Sequence, residues 1–261
     1  MNDLVPSDPW AALRRHTPAR IALGRSGGSL PTAEVLRFSS AHARARDAVH
    51  VPLDTATLSA ELATAGWPPL QVASQAPTRP EYLRRPDWGR RLRPEDAQRL
   101  REAAAQRGGP VDLVLVIADG LSALAVQQHA LPVLQALHAA LQHGTASDGP
   151  PPTCAPVVLA TQARVALADD VGAALQARLA LILLGERPGL SAADSLGAYL
   201  TWNPQPGRTD AERNCVSNIR PEGLASVAAG QRLAWLVRQA LRRRLSGVAL
   251  KDVSATQLLP R

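Results

Sequence analysis

The chain has 261 residues, of which 46 % are hydrophobic and only 3 % aromatic. That is enough chain and apolar side chain for one large domain, or a compact domain with an N-terminal addition, and it argues against wholesale disorder. The formal net charge of +7 rests almost wholly on arginine, because Lys251 is the only lysine. The arginines are widely spread and aromatic residues are few, unlike a nucleic-acid platform, so they read as solvated faces or protein interface. No apolar run approaches the roughly 20 residues of a membrane span, and MNDLVPSDPW carries no apolar signal core, so the expectation is a soluble protein without a membrane partner. Cys154 and Cys215 form no CxxC pair, which points to reduced thiols rather than to a zinc knuckle or disulfide framework.

In chain order, Asp8-Pro9-Trp10 has the form of a helix start, with Asp8 as cap and Pro9 in the first turn. A helix is expected over 31–49 and another over 54–65, ended by Gly66 and Trp67-Pro68-Pro69. Residues 70–73 form a weak strand candidate. The basic stretch 78–93, TRPEYLRRPDWGRRLR, holds too much proline for one helix and reads as a loop. Pro94 opens a helix to Gln106, with Glu95 and Asp96 in the first turn, where the dipole favours negative charge.

The pattern then changes. The apolar runs VDLVLVIAD, APVVLAT and LALILLG alternate with helical stretches, GLSALAVQQHALPVLQALHAAL and VALADDVGAALQA. Such alternation implies βαβ units and a buried parallel sheet covered on both faces. Pro132 should kink or divide the first of those helices. A surface loop is expected over 145–152, and a last helix over 223–245, stopped by Gly247. The fold class is α/β: a Rossmann-like domain over 110–261, with a parallel sheet flanked by helices, and a mainly helical region over 1–109.

In open α/β sheets ligands bind beyond the carboxyl ends of the strands. Three such ends are visible: Asp119-Gly120-Leu121-Ser122, Gln162-Ala163-Arg164-Val165 and Gly185-Glu186-Arg187-Pro188-Gly189. Asp119-Gly120 reads equally as a capped strand-to-helix turn, and Arg164 as a solvated arginine. Glu186 and Arg187, straight after a buried strand, are the stronger site candidates. No GxGxxG fingerprint, Walker loop, GxSxG elbow or HExxH spacing accompanies them. His129 and His138 read as structural. With no evident nucleophile, acid–base pair or metal set, the chain has the character of a binding subunit. A stand-alone nucleotide-binding α/β enzyme using Asp119 and Glu186 is the alternative, and a basic nucleic-acid module using 78–93 and 242–244 is a weaker one.

LVIADGLSALAVQQHA, ARVALADDVG, LLGERPGLSAADSLGAYLTW and GRTDAERNCVSNIRPEGL together resemble the small subunit of ethanolamine ammonia-lyase. ALRRHTPARIALGRSGGSLPT, FSSAHARARDAV and YLRRPDWGRRL fit the same family, so the resemblance covers about residues 8–251. It implies an adenosylcobalamin-dependent enzyme that converts ethanolamine to acetaldehyde and ammonia by radical chemistry. A TIM-barrel large subunit would hold substrate and catalytic groups, in an assembly of six large–small pairs. The small subunit, with no catalytic residue of its own, would cover cobalamin at the subunit junction. Val165 in the RV pair, Glu186 in GERPGL and Cys215 in NCVSNI match cobalamin contacts of the family, with Arg164, Arg187 and Asn218 as neighbours. No DxHxxG motif occurs, so no histidine of this chain is expected to ligate cobalt. Only seven residues precede Asp8, a short leader, which leaves a bacterial microcompartment and the cytoplasm as alternative locations.

Overall fold

The computed structural model describes residues 10–17, 19–143 and 149–254. Six strands form one mixed sheet: β1 (Leu70–Ala73), β2 (Val111–Ala118), β3 (Val158–Thr161), β4 (Ala177–Gly185), β5 (Leu196–Trp202) and β6 (Arg213–Ile219). Their spatial order is β1-β3-β2-β4-β5-β6. The first four strands in that order pair in parallel, and β5 and β6 add in antiparallel fashion. The expected α/β sheet with helices on its faces is present, but it is not purely parallel.

Alternation along the central strands explains the layers. In β2 and β4, Leu113, Leu115, Ile117, Leu179, Leu181 and Leu183 face one core, shared with α5 (Ala123–Gln142) and α7 (Ser226–Arg243). Their neighbours Val114, Val116, Ala118, Ala180, Ile182 and Leu184 face the other, shared with α4 (Pro94–Arg107) and α6 (Leu167–Ala174). Period-two geometry sends successive side chains to opposite faces, and covering both faces requires every position to be apolar. Gly230 lets α7 approach α5 closely: a Cβ there would lie 2.6 Å from the Ala136 backbone.

The N-terminal helices α1 (Thr32–His50) and α2 (Thr55–Thr64) stand where expected, and the Asp54 side chain caps α2 by accepting from the Thr57 amide. Asp8 and Pro9 lie outside the described residues, and the chain beyond Trp10 forms a 3₁₀ helix, Ala11–His16. Three expectations need correction. Pro132 does not divide α5, which runs unbroken through it, because packing on both sheet and α7 outweighs one lost backbone bond. The basic stretch contains a short helix, α3 (Arg79–Arg84), capped by Thr78 with proline in its first turn, and a 3₁₀ turn Trp88–Arg90. The last helix ends at Arg244, itself left-handed at φ 57°, ahead of Gly247. Among the described residues no helix is long and apolar enough to cross a membrane.

The connections define where a ligand can enter. From β2 the chain leaves into α5 on one face; from the adjacent β3 it leaves into α6 on the other. Loops diverging from neighbouring strand ends open a crevice between them.

Candidate functional site at the carboxyl edge of the sheet

All three strand-end segments converge there. A cavity of about 490 Å³ is lined by Gly120 and Leu121 after β2, Arg164, Val165 and Ala166 after β3, and Glu186 and Arg187 after β4. Tyr82, Arg90, Tyr199 and Asp210 complete its walls. No histidine lines it.

The strand ends are locked to one another. Asp119, 3 % exposed, accepts hydrogen bonds from the Gln162 and Ala163 amides at 2.9 and 3.0 Å, joining the end of β2 to the loop after β3. The Arg79 guanidinium lies 3.3 Å from the same carboxylate and donates to the Gly120 carbonyl. Burial pushes the Asp119 carboxyl up, against the pull of these N–H groups and of Arg79. Asp119 is therefore a structural tie, and Ser122 is the residue that caps α5, through its hydroxyl and the Ala125 amide. Gly120 and Gly185 permit the close crossing, since a Cβ on Gly185 would fall 2.0 Å from the Ser122 carbonyl oxygen.

Glu186 is half-buried, and its Oε2 accepts from the Ser195 hydroxyl at 2.5 Å and the Asn218 amide at 3.3 Å. Both bonds fall on one oxygen, which leaves Oε1 available to a ligand. Gly197 on β5 makes room for it: a Cβ there would stand 2.9 Å from Oε1. Asn218, at φ 56°, takes the left-handed backbone that presents its N–H to the carboxylate.

Arg164 is not a solvated arginine. Its amide donates to the Gly89 carbonyl, its guanidinium stacks 4.7 Å from the Tyr82 ring centre, and its buried Nε has no partner among the described residues. Val165 lies between this arginine and the first turn of α6 and faces the cavity. Cys215 does not line the cavity. It stands one strand further out on β6, opposite Tyr199, which does. Val216 beside it enters the α5–α7 core, so Cys215 faces the α6 side. Burial pushes its thiol up, and the Glu186 charge adds to the shift. Both cysteines are free. His129 packs beside Asp194 at 3.4 Å, and His138 meets Trp67 edge-on, as structural histidines do.

Sequence reasoning missed Tyr82, Arg90, Tyr199 and Asp210 because none follows a recognisable parallel strand. A second cavity of about 390 Å³ adjoins the first and shares Arg90, Ala166 and Asp210 with it. One of its walls is a capping box, in which the Thr209 amide donates to Glu212 and the Arg208 guanidinium pairs with that carboxylate. These contacts hold Glu212 down from the usual 4.5 to about 2. A depressed carboxyl stabilises above its unfolded value and ceases to do so as pH falls through the folded one. The turn should therefore loosen between about pH 4.5 and 2. The Thr209 amide resonance should report that transition, and Glu212→Gln should abolish it. A titration midpoint at 4.5 would contradict the capping role.

The cavity walls combine hydrogen-bonding groups with apolar surface. Glu186 Oε1 offers an acceptor for N–H groups, Arg164 and Arg187 offer donors, and Val165, Leu121 and Leu184 offer apolar surface. Among the described residues no cluster of three or more His, Cys, Asp or Glu could hold a metal ion.

Comparison with known proteins identifies the family. The family model described as "Ethanolamine ammonia-lyase light chain (EutC)" matches residues 7–251. The ethanolamine ammonia-lyase small subunit of Azotobacter vinelandii is 56 % identical over 254 residues, covering 97 % of this chain and 92 % of the relative. Those of Pseudomonas fluorescens strain SBW25 and Ralstonia nicotianae are each 53 % identical over 255 residues, covering 98 % of this chain and 90 % and 92 % of the relatives. The chain belongs to the ethanolamine ammonia-lyase light-chain family, the small subunits of an ammonia-lyase.

Proposed function

We propose that the chain covers adenosylcobalamin at its junction with a catalytic TIM-barrel large subunit, in the conversion of ethanolamine to acetaldehyde and ammonia. The observation that carries this reading is the meeting, on one cavity at the carboxyl edge of the sheet, of a carboxylate oxygen on Glu186 without a hydrogen-bond partner, an acceptor, and the Arg164 side chain, a donor. A corrin's amide side chains need both kinds of partner. When bound, the cofactor supplies the radical chemistry; protein groups supply position and electrostatics. Glu186 would bind and orient an amide N–H of the cofactor, Val165 would supply apolar surface and exclude water, and Cys215, behind Tyr199, would stand near it. No group of this chain transfers a proton to substrate.

The large subunit would complete the cavity. Residues 1–109 are proposed as the region that meets it, with 110–261 as the cofactor-covering domain. On α1 only Ala41 and Ala48 are buried, while Leu36 and Phe38 are 63 % and 47 % exposed, an apolar surface that supports docking. Six large–small pairs are the proposed assembly, located in a bacterial microcompartment or the cytoplasm.

Glu186→Ala tests the site. Leaving a buried amide donor unpaired costs about 1–3 kcal/mol, so cobalamin should bind the large–small complex about 5- to 150-fold more weakly, measured by absorbance titration. An unchanged dissociation constant would remove Glu186 from the site.

A further inference from the structure

The cavity loop 162–166 is held by a segment distant in sequence as well as by its own helix and Asp119. Tyr82, 1 % exposed, lies between two guanidinium groups, with Arg79 4.8 Å and Arg164 4.7 Å from its ring centre. Its hydroxyl donates to the Ala163 carbonyl at 3.1 Å, and the Arg164 guanidinium returns a bond to the Tyr82 carbonyl at 3.3 Å. Seven positions after Tyr82, the Gly89 carbonyl accepts from the Arg164 amide at 2.8 Å. Gly89 admits no side chain, since a Cβ would stand 2.9 Å from two Tyr82 ring carbons and 3.1 Å from Arg164 Cγ. Arg79 extends the tie, binding the Val49 carbonyl at the end of α1 and the Gly120 carbonyl after β2.

We propose that residues 79–90 are the positioning element of the cavity loop, with Tyr82 and Gly89 setting the backbone at Ala163–Ala166 so that Arg164 and Val165 face the ligand. The inference rests on the reading of that cavity as the cobalamin site. Three features distinguish it from ordinary packing. The contacts reach both backbone and side chain of the loop. They come from a stretch whose arginine content alone would place it on a solvated face. They also hold the guanidinium of a cavity-lining arginine in place, on the Tyr82 ring and carbonyl, as preorganisation for a ligand requires.

The test uses the large–small complex with hydroxocobalamin as probe, and hydrogen exchange on the same complex without it. Tyr82→Leu removes stack and hydroxyl; Gly89→Ala forces ring and arginine apart; Tyr82→Phe keeps the stack and loses only the hydroxyl bond. Tyr82→Leu and Gly89→Ala should speed exchange of the Arg164 amide at least about tenfold while leaving the Val114 amide in β2 unchanged. Both should weaken hydroxocobalamin binding by about tenfold or more, and Tyr82→Phe should recover most of that loss. Exchange accelerated equally at Val114 would show a general stability role and overturn the proposal. So would unchanged hydroxocobalamin affinity in both Tyr82→Leu and Gly89→Ala when Glu186→Ala weakens it; the site reading would then stand without the positioning element. Unchanged affinity in Glu186→Ala as well would instead bring down the site reading itself.

Discussion

Arg213→Ala is expected to destabilise the folded chain by about 3–5 kcal/mol, the usual cost of stripping one partner from a buried ion pair. Arg213 and Asp169 have side chains only 2 % and 1 % exposed, and they meet through two bonds of 2.8 and 2.7 Å. The same guanidinium donates to the Thr201 hydroxyl on β5 and the Arg208 carbonyl in the loop before β6. One side chain thus ties α6, β5 and that loop together behind the cavity. Burial pushes the Asp169 carboxyl up even with Arg213 pulling it down, so its charge depends on the partner. The midpoint of thermal unfolding should fall by roughly 6–20 °C. Replacing both partners by apolar residues of similar size, Asp169→Leu with Arg213→Met, should recover much of the loss. A single variant within about 0.5 kcal/mol of the parent would show that the pair is not needed.

Asp119→Ala should have an effect of the same order, about 3–5 kcal/mol, for a related reason. It leaves the Gln162 and Ala163 amides and the buried Arg79 guanidinium without their shared acceptor. Gln162 holds an unfavourable φ of 53°, which the bond from its amide to Asp119 helps to stabilise. Denaturant unfolding measures the energy. Hydrogen exchange at Gln162 and Ala163 should rise well before the β2 and β4 amides do, because the loop is released first. Native protection at those two amides in the variant would refute the tie.

The central layer of the fold was legible because β2 and β4 are buried on both faces and therefore read as continuous apolar runs. β5 and β6 were not. LGAYLTW is strand-like in composition but carries a glycine beneath Glu186 and follows a loop rather than a helix, and RNCVSNI alternates a buried arginine, a cysteine and asparagines. Arg213 in particular looks like a surface residue until Asp169, 44 positions earlier, is brought against it. The convergence of the three strand ends was readable from the topology, and Val165 and Glu186 line the cavity they form. Cys215 fell behind that wall, because its strand joins the sheet beyond β5. Tyr82 and Gly89 were hidden for another reason: proline and arginine made their segment read as loop, and only tertiary contact reveals a buried tyrosine within it.

The most direct measurement is reconstitution. The purified chain, mixed with the family's large subunit and adenosylcobalamin, should restore ammonia release from ethanolamine, while either subunit alone should not. The cobalamin dissociation constant should be tighter for the pair than for the large subunit by itself. Full activity and unchanged cobalamin affinity without this chain would contradict a cofactor-covering role.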